Sequence, residues 1–176
     1  MQKPLNSIYT YKGTNMNIED NFSKWQKWEN RKSMDGLSFP GIYILCLSVP
    51  DISCQPFLWS ESIIYIGMTN SKAGLSGRLK QFDNTIIGKE GHGGADRVRY
   101  KHRNYEKLIN TLYISTRSFP CDITREDPED LRIMGDVSKH EYDCFAEFKS
   151  QYSRLPEFND KNLSKKYSLT VGRGRE

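Results

Sequence analysis

Two apolar runs separated by a polar stretch limit what this chain can fold into. Residues 41–49 read GIYILCLSV and are ended by Pro50, and residues 62–68 read SIIYIGM. Both are rich in β-branched and aromatic residues and short for a helix, so each is expected to be a strand. Residues 50–61, between them, are longer than a usual hairpin loop. The pair is therefore expected to lie antiparallel across a long connection.

Helical spacing appears after the second run. Leu75, Leu79 and Phe82 share one face, predicting a helix from about residue 77 to 82 that extends toward 87. The pair Gly93-Gly94 opens a second expected helix, 95–105. Residues 108–118 (LINTLYISTRS) read as a third strand. The acidic stretch from Asp122 to Asp136, which holds Pro128, reads as a loop that follows Pro120. Residues 137–152 carry Tyr142, Phe145, Ala146, Phe148 and Tyr152 at helical spacing, and Pro156 stops that helix. In the polar N-terminal segment, Phe22, Trp25 and Trp28 fall at i, i+3 and i+6, the pattern of a short docking helix capped by Asn21 or Asp20. The expected organisation is an accessory segment over 1–40, a folded domain over 41–160 and a basic tail over 161–176. The fold class is α/β, a β-β-α-β-α sandwich with a small, mostly antiparallel three-stranded sheet and flanking helices.

Composition excludes several classes. A chain of 176 residues, 36% hydrophobic and 27% charged, has apolar material for one packed domain and is not of disordered type. No apolar run reaches bilayer length, and residues 1–11 lack the continuous apolar stretch of a secretory signal, so no membrane is expected and a cytoplasmic setting is the default. Cys46, Cys54, Cys121 and Cys144 form no CxxC pair, which favours reduced thiols packed as small apolar groups over zinc or disulfides. The net charge of +4 is compatible with a nucleic-acid partner. The cations are clustered: Arg97, Arg99, Lys101 and Arg103 in one stretch, Lys165, Lys166, Arg173 and Arg175 in the tail.

Gly41-Ile42-Tyr43 and Tyr65-Ile66-Gly67 are each weak signals alone. Their order carries more. Two tyrosines on neighbouring strands are followed by Arg78 within GLSGRLKQF (74–82), then by Glu147 on a helix, then by Pro156-Glu157-Phe158-Asn159. In this the chain resembles the GIY-YIG nuclease superfamily over about residues 41–159, in particular its small restriction-type members. The spacing of Glu147, Pro156 and Asn159 is similar to that of the incision domain of the bacterial excision-repair nuclease.

The resemblance implies a metal-dependent DNA endonuclease that hydrolyses phosphodiester bonds. It places Tyr43, Tyr65, Arg78 and Glu147 in the catalytic site, with Gly41, Gly67 and Asn159 supporting it. Glu147 would hold one Mg²⁺ or Mn²⁺, and Arg78 would grip the scissile phosphate with its planar fork. One tyrosine would deprotonate or orient the attacking water and the other would position it. Cations nearby are needed, because a phenol is a poor base at neutral pH.

Two departures stand out. Phe82 lies where relatives commonly have histidine or tyrosine, and the segments 50–61 and 68–77 are long. His92, in a glycine-flanked loop, is expected to repair the first by accepting a proton from the water-activating tyrosine or by holding its hydroxyl. His102 and His140 read as solvent-facing. Arg97, Arg99, Lys101, Arg103 and Tyr105 interleave charge and aromatic rings, and on one helix Arg97, Lys101 and Tyr105 would share a DNA-facing side. The partner is then double-stranded DNA, with specificity carried by insertions, tail or a homodimer, and the role is restriction or phage defence. The alternative is a non-catalytic or partner-dependent DNA-binding module on the same fold, with Trp25 and Trp28 as the docking face.

Overall fold

The structure is a computed structural model that describes residues 18–162, apart from Glu90 and Glu126, together with residues 164–166. Residues 1–17, the side chain of Asp20 and the tail with Arg173 and Arg175 lie outside the described residues. Among the described residues no helix is long and apolar enough to cross a membrane.

The strands are β1 (Gln26–Lys27), β2 (Gly41–Leu47), β3 (Ile63–Thr69) and β4 (Leu112–Ser118). They form one antiparallel sheet in the order β1-β4-β2-β3. The sheet thus has four strands where three were expected. The addition comes from the N-terminal segment, where backbone pairing of Gln26 and Lys27 with Ile114 and Tyr113 extends the sheet past β4.

That pairing also corrects the aromatic helix. Trp25 and Trp28 flank an extended strand, in which residues three apart point to opposite faces. Trp25 belongs to the core on one face of the sheet and Trp28 to the core on the other. Trp28 Nε1 donates to Asp83 at 2.8 Å, and the Asp83 carboxylate also takes a 2.6 Å ion pair from Arg31 and a bond from the Tyr105 hydroxyl. The two tryptophans are structural members of the domain, with 4% and 0% exposure.

The helices are α1 (Gly74–Ile87), α2 (Gly93–Lys101), α3 (Tyr105–Ile109) and α4 (Pro128–Tyr152). Leu75, Leu79, Phe82 and Ile86 bury one stripe of α1 on the first face of the sheet, with Ala95, Val98 and Leu108 beside them. Val137, Cys144 and Phe148 of α4 pack on the second face with Ile42, Ile44, Ile66, Phe57 and Trp59. The long β2–β3 connection therefore fills core through Phe57 and Trp59.

Several boundaries differ from expectation for identifiable reasons. α1 begins at Gly74, whose φ of +57 reverses the chain, so the expected long loop after β3 is only residues 70–73. α4 begins nine residues before its apolar periodicity does. Asp127 caps it by accepting the N–H groups of Glu129 and Asp130, and Pro128 fits the first turn. The acids there face the positive end of the helix dipole. The expected 95–105 helix instead breaks at His102, and Asn104 caps a separate α3 by accepting from Lys107 N–H.

Candidate active site

Strand alternation sends Tyr43 and Leu45 of β2 to the first face. Opposite them in register stand Gly67 and Tyr65. Tyr65, paired with Leu45, faces the same side as Tyr43; beyond that pair the register shifts between Leu45 and Cys46, which leaves Ile64 as an extra residue. The two phenol rings lie 5.9 Å apart, centroid to centroid. Gly67 makes this possible, because a Cβ there would stand 2.6 Å from both Cζ and the hydroxyl oxygen of Tyr43. Gly41 opens β2 between Thr69 and Ser118.

Asn159 clamps the outer side of β3: its Oδ1 accepts from Ile66 N–H at 2.8 Å and its Nδ2 donates to Ile66 C=O at 2.7 Å. The turn that contains it is held by Phe158 N–H on Ile64 C=O.

His92 is 3% exposed, and its Nε2 lies 2.8 Å from the Tyr43 hydroxyl oxygen. Its Nδ1 accepts two backbone N–H groups, from Gly94 and Ala95, at 3.1 Å each. A nitrogen that accepts carries no proton, so the neutral ring bears its hydrogen on Nε2 and donates it to the Tyr43 oxygen. Burial, and then the Arg78 charge, push the His92 pKa down to about 4, so the ring is neutral in ordinary buffers. Of the two roles expected for His92, this geometry matches holding the hydroxyl and opposes accepting its proton, since imidazolium would lose both Nδ1 bonds. Thr85 Oγ1, on α1, accepts the His92 N–H at 2.9 Å and fixes the loop. Gly94 is in turn pressed on the Tyr65 ring, where a Cβ would stand 2.6 Å from Cζ.

Phe82 is fully buried at the centre of this group. Its ring lies 5.0 Å from His92, 5.6 Å from Tyr65 and 6.3 Å from Tyr43. Trp28 backs it at 5.6 Å.

The electrostatics identify the groups that share the site. Burial holds the Tyr43 phenol well above 10; the neighbouring Tyr65 adds to this and Arg78 opposes it. Burial also raises Tyr65, opposed by Arg78, while Glu141 raises it further and Arg97 lowers it. Arg78 is half-buried, and its Nε–H has no acceptor among the described residues. Glu141 lies on the α4 side facing β3. Burial raises its pKa, while Arg78 and the neighbouring Met68 N–H pull the other way.

Tyr43, Tyr65, Arg78 and His92 are therefore brought together, with Glu141 and Thr85 added to what the sequence pointed to. Glu147 lies on the same helix as Glu141. Six residues after Glu141, it stands roughly 120° around α4 and about 9 Å along it, and its Oε1 accepts from Gln151.

The basic stretch is only partly collected. Arg97 Nη1 donates to Gly93 C=O and Arg99 Nη1 to Gly88 C=O. Lys101 is ion-paired with Glu157 at 2.8 Å, and Arg103 lies over the Tyr100 ring. Tyr105 has left the face expected for it, because it starts α3 and donates to Asp83.

His102 and His140 are half-buried, not solvent-facing. His102 packs against Phe158, and His140 bonds Arg117 at 2.6 Å between Phe22 and Phe119. All four cysteines are free; Cys46 and Cys144 are buried, whereas Cys54 is exposed.

Among the described residues no group of three or more His, Cys, Asp or Glu side chains is placed to hold a metal ion. A single half-buried carboxylate such as Glu141 suits a cation that keeps most of its water and takes further ligands from a bound phosphate, which is Mg²⁺ behaviour. Comparison with protein-family models, with curated proteins and with solved structures finds no match.

Proposed function

We propose that the chain is a metal-dependent DNA endonuclease of restriction type in which Tyr43 acts as the base toward the attacking water. The observation that supports this most is the hydrogen-bond chain from the Gly94 and Ala95 N–H groups through His92 to the Tyr43 oxygen. Because His92 donates to that oxygen, the phenolic proton must point elsewhere. The same bond stabilises the phenolate once the proton has gone. Arg78 acts in the same direction and has a guanidinium N–H left over for a phosphate oxygen.

A second cationic contribution is needed, because burial alone keeps Tyr43 protonated. Glu141 is the carboxylate suited to hold Mg²⁺ or Mn²⁺, which when bound supplies counter-charge for the phosphate and lowers the phenol pKa. Tyr65, between Glu141, Arg78 and Arg97, positions the water and the phosphate.

The test is single-turnover cleavage of plasmid DNA with Mg²⁺ across pH 6 to 9. The wild-type rate is expected to rise with pH, because the base is a phenol whose pKa lies above the assay range. Tyr43→Phe is expected to remove cleavage. Glu141→Gln is expected to abolish it and Glu147→Gln to spare it; the reverse pattern returns the metal to Glu147. Cleavage by the Tyr43→Phe variant at the wild-type rate overturns the mechanism.

A further inference from the structure

Between α2 and the turn that carries Asn159 lies a recess of about 250 Å³. Arg97, Tyr100, Lys101, Glu157, Phe158 and Lys165 line it. Two contacts fix its place beside the tyrosines. Phe158 N–H is bonded to Ile64 C=O, one residue before Tyr65. Arg97 follows by one helical turn the Gly94 that touches the Tyr65 ring, and its charge lowers the Tyr65 phenol.

The recess carries three cations and one carboxylate. That carboxylate is fully engaged, since both oxygens of Glu157 accept from Lys101 Nζ at 2.8 Å. Arg97 is half-buried; one nitrogen is held by Gly93 C=O, and its enclosed Nε–H has no acceptor among the described residues. An enclosed donor left unbonded is costly and favours an anion drawn into its neighbourhood. Tyr100 and Phe158 give the walls aromatic surface, on which sugar or base can rest.

We propose that this recess receives the DNA phosphate next to the one gripped by Arg78, with Glu157 as its competitor for Lys101. The proposal rests on the nuclease reading above. In the free protein the Lys101–Glu157 pair closes the recess. On binding, a phosphate replaces the Glu157 carboxylate at Lys101 and meets Arg97 and Lys165. Glu157 thereby sets a threshold that only a polyanion crosses, and Arg97 links occupancy of the recess to Tyr65.

The experiment is fluorescence anisotropy of a labelled short duplex in EDTA, where cleavage cannot proceed, over a range of salt. Each lost phosphate contact lowers the slope of log K against log salt by about 0.9. Arg97→Gln and Lys165→Gln are each expected to lower the slope by part of that amount and the double variant by all of it, whereas Glu157→Gln is expected to bind several-fold more tightly at low salt. Lys165 is exposed and Glu157 partly so, so these variants keep the fold, and their opposite signs separate a site from general damage. Unchanged slopes in Arg97→Gln and Lys165→Gln, with wild-type protein that binds and cuts DNA, overturn the recess alone. Wild-type protein with no salt-sensitive duplex binding overturns the recess and the nuclease reading together.

Discussion

Tyr43 and Ile44 are consecutive residues of β2 and neither exposes any surface, yet they face different chemistries. On the side of Tyr43 the buried surface holds a second phenol, a neutral imidazole and the edge of a guanidinium, each with a polar partner or a neighbouring charge. On the side of Ile44 the same depth of burial is filled by Ile42, Ile66, Trp25, Phe57 and Phe148. Both faces hold aromatic rings; around Tyr43 they enclose polar atoms, and around Ile44 they enclose apolar side chains. The difference teaches that burial does not separate core from site in this protein. What separates them is whether the buried polar groups are aimed at one another.

The comparison is tested most severely by cutting into the apolar face. Phe148→Ala removes a fully buried ring, and a loss of about 3–5 kcal/mol is expected in denaturant unfolding. The cleavage rate of the molecules that remain folded should be unchanged; a fall in rate at full folding would mean that the faces are coupled.

Arg78→Ala is the matching cut on the polar face. On the proposed nuclease mechanism Arg78 makes a charge-assisted contact in the transition state, and its removal is expected to slow single-turnover cleavage by about 10² to 10³, or roughly 2.7–4 kcal/mol. Arg78 is only half-buried, so the melting temperature should stay close to wild type.

The two faces share one liability. His92 on the first and His140 on the second are both pushed down to about 4, in each case by burial first and a neighbouring arginine second. With the unfolded pKa near 6.5, the unfolded chain binds more protons than the folded one between pH 6.5 and 4. Stability is therefore full above pH 6.5 and falls as the pH drops toward 4, by on the order of 1–3 kcal/mol for each ring. His92→Gln and His140→Gln should each flatten that acid limb in pH-dependent unfolding, but only His92→Gln should also slow cleavage. Equal effects of both on cleavage would erase the distinction between the faces.

The mildest test is chemical. Burial raises the thiols of Cys46 and Cys144 to about 12, and Cys54 is exposed. Brief alkylation at pH 8, read by mass spectrometry, should label Cys54 and leave Cys46 and Cys144 unmodified, with no change in melting temperature.

How much of this was legible in the sequence depended on whether a signal was local. The strands β2, β3 and β4 and the apolar stripe of α1 follow from period and propensity, which act over a few residues. The start of α4 was legible too, in Asp127-Pro128-Glu129, but its acidity suggested a loop because the apolar stripe begins only at Val137. Trp25 and Trp28 have helical spacing, and pairing with β4, almost ninety residues away, overrides it. Glu141 was not legible, because the six carboxylates of α4 look alike until β3 fixes which of them lies by the Met68 N–H and the Arg78 charge. His140 reads as exposed from its charged neighbours, since nothing local announces Arg117 or the two phenylalanines around it.

The clamp formed by Asn159 has a consequence for how this molecule behaves in company. β3 is the outer strand of the sheet, and an outer strand ordinarily offers its unpaired backbone groups to any passing chain. Here three of the outward groups are already taken: Ile64 C=O by Phe158, and both polar groups of Ile66 by the Asn159 amide. One side-chain amide thus mimics a short piece of the missing neighbouring strand and ends the sheet. A molecule that lost the Asn159 amide would present Ile66 as a template, and concentrated solutions of it would stack strand against strand.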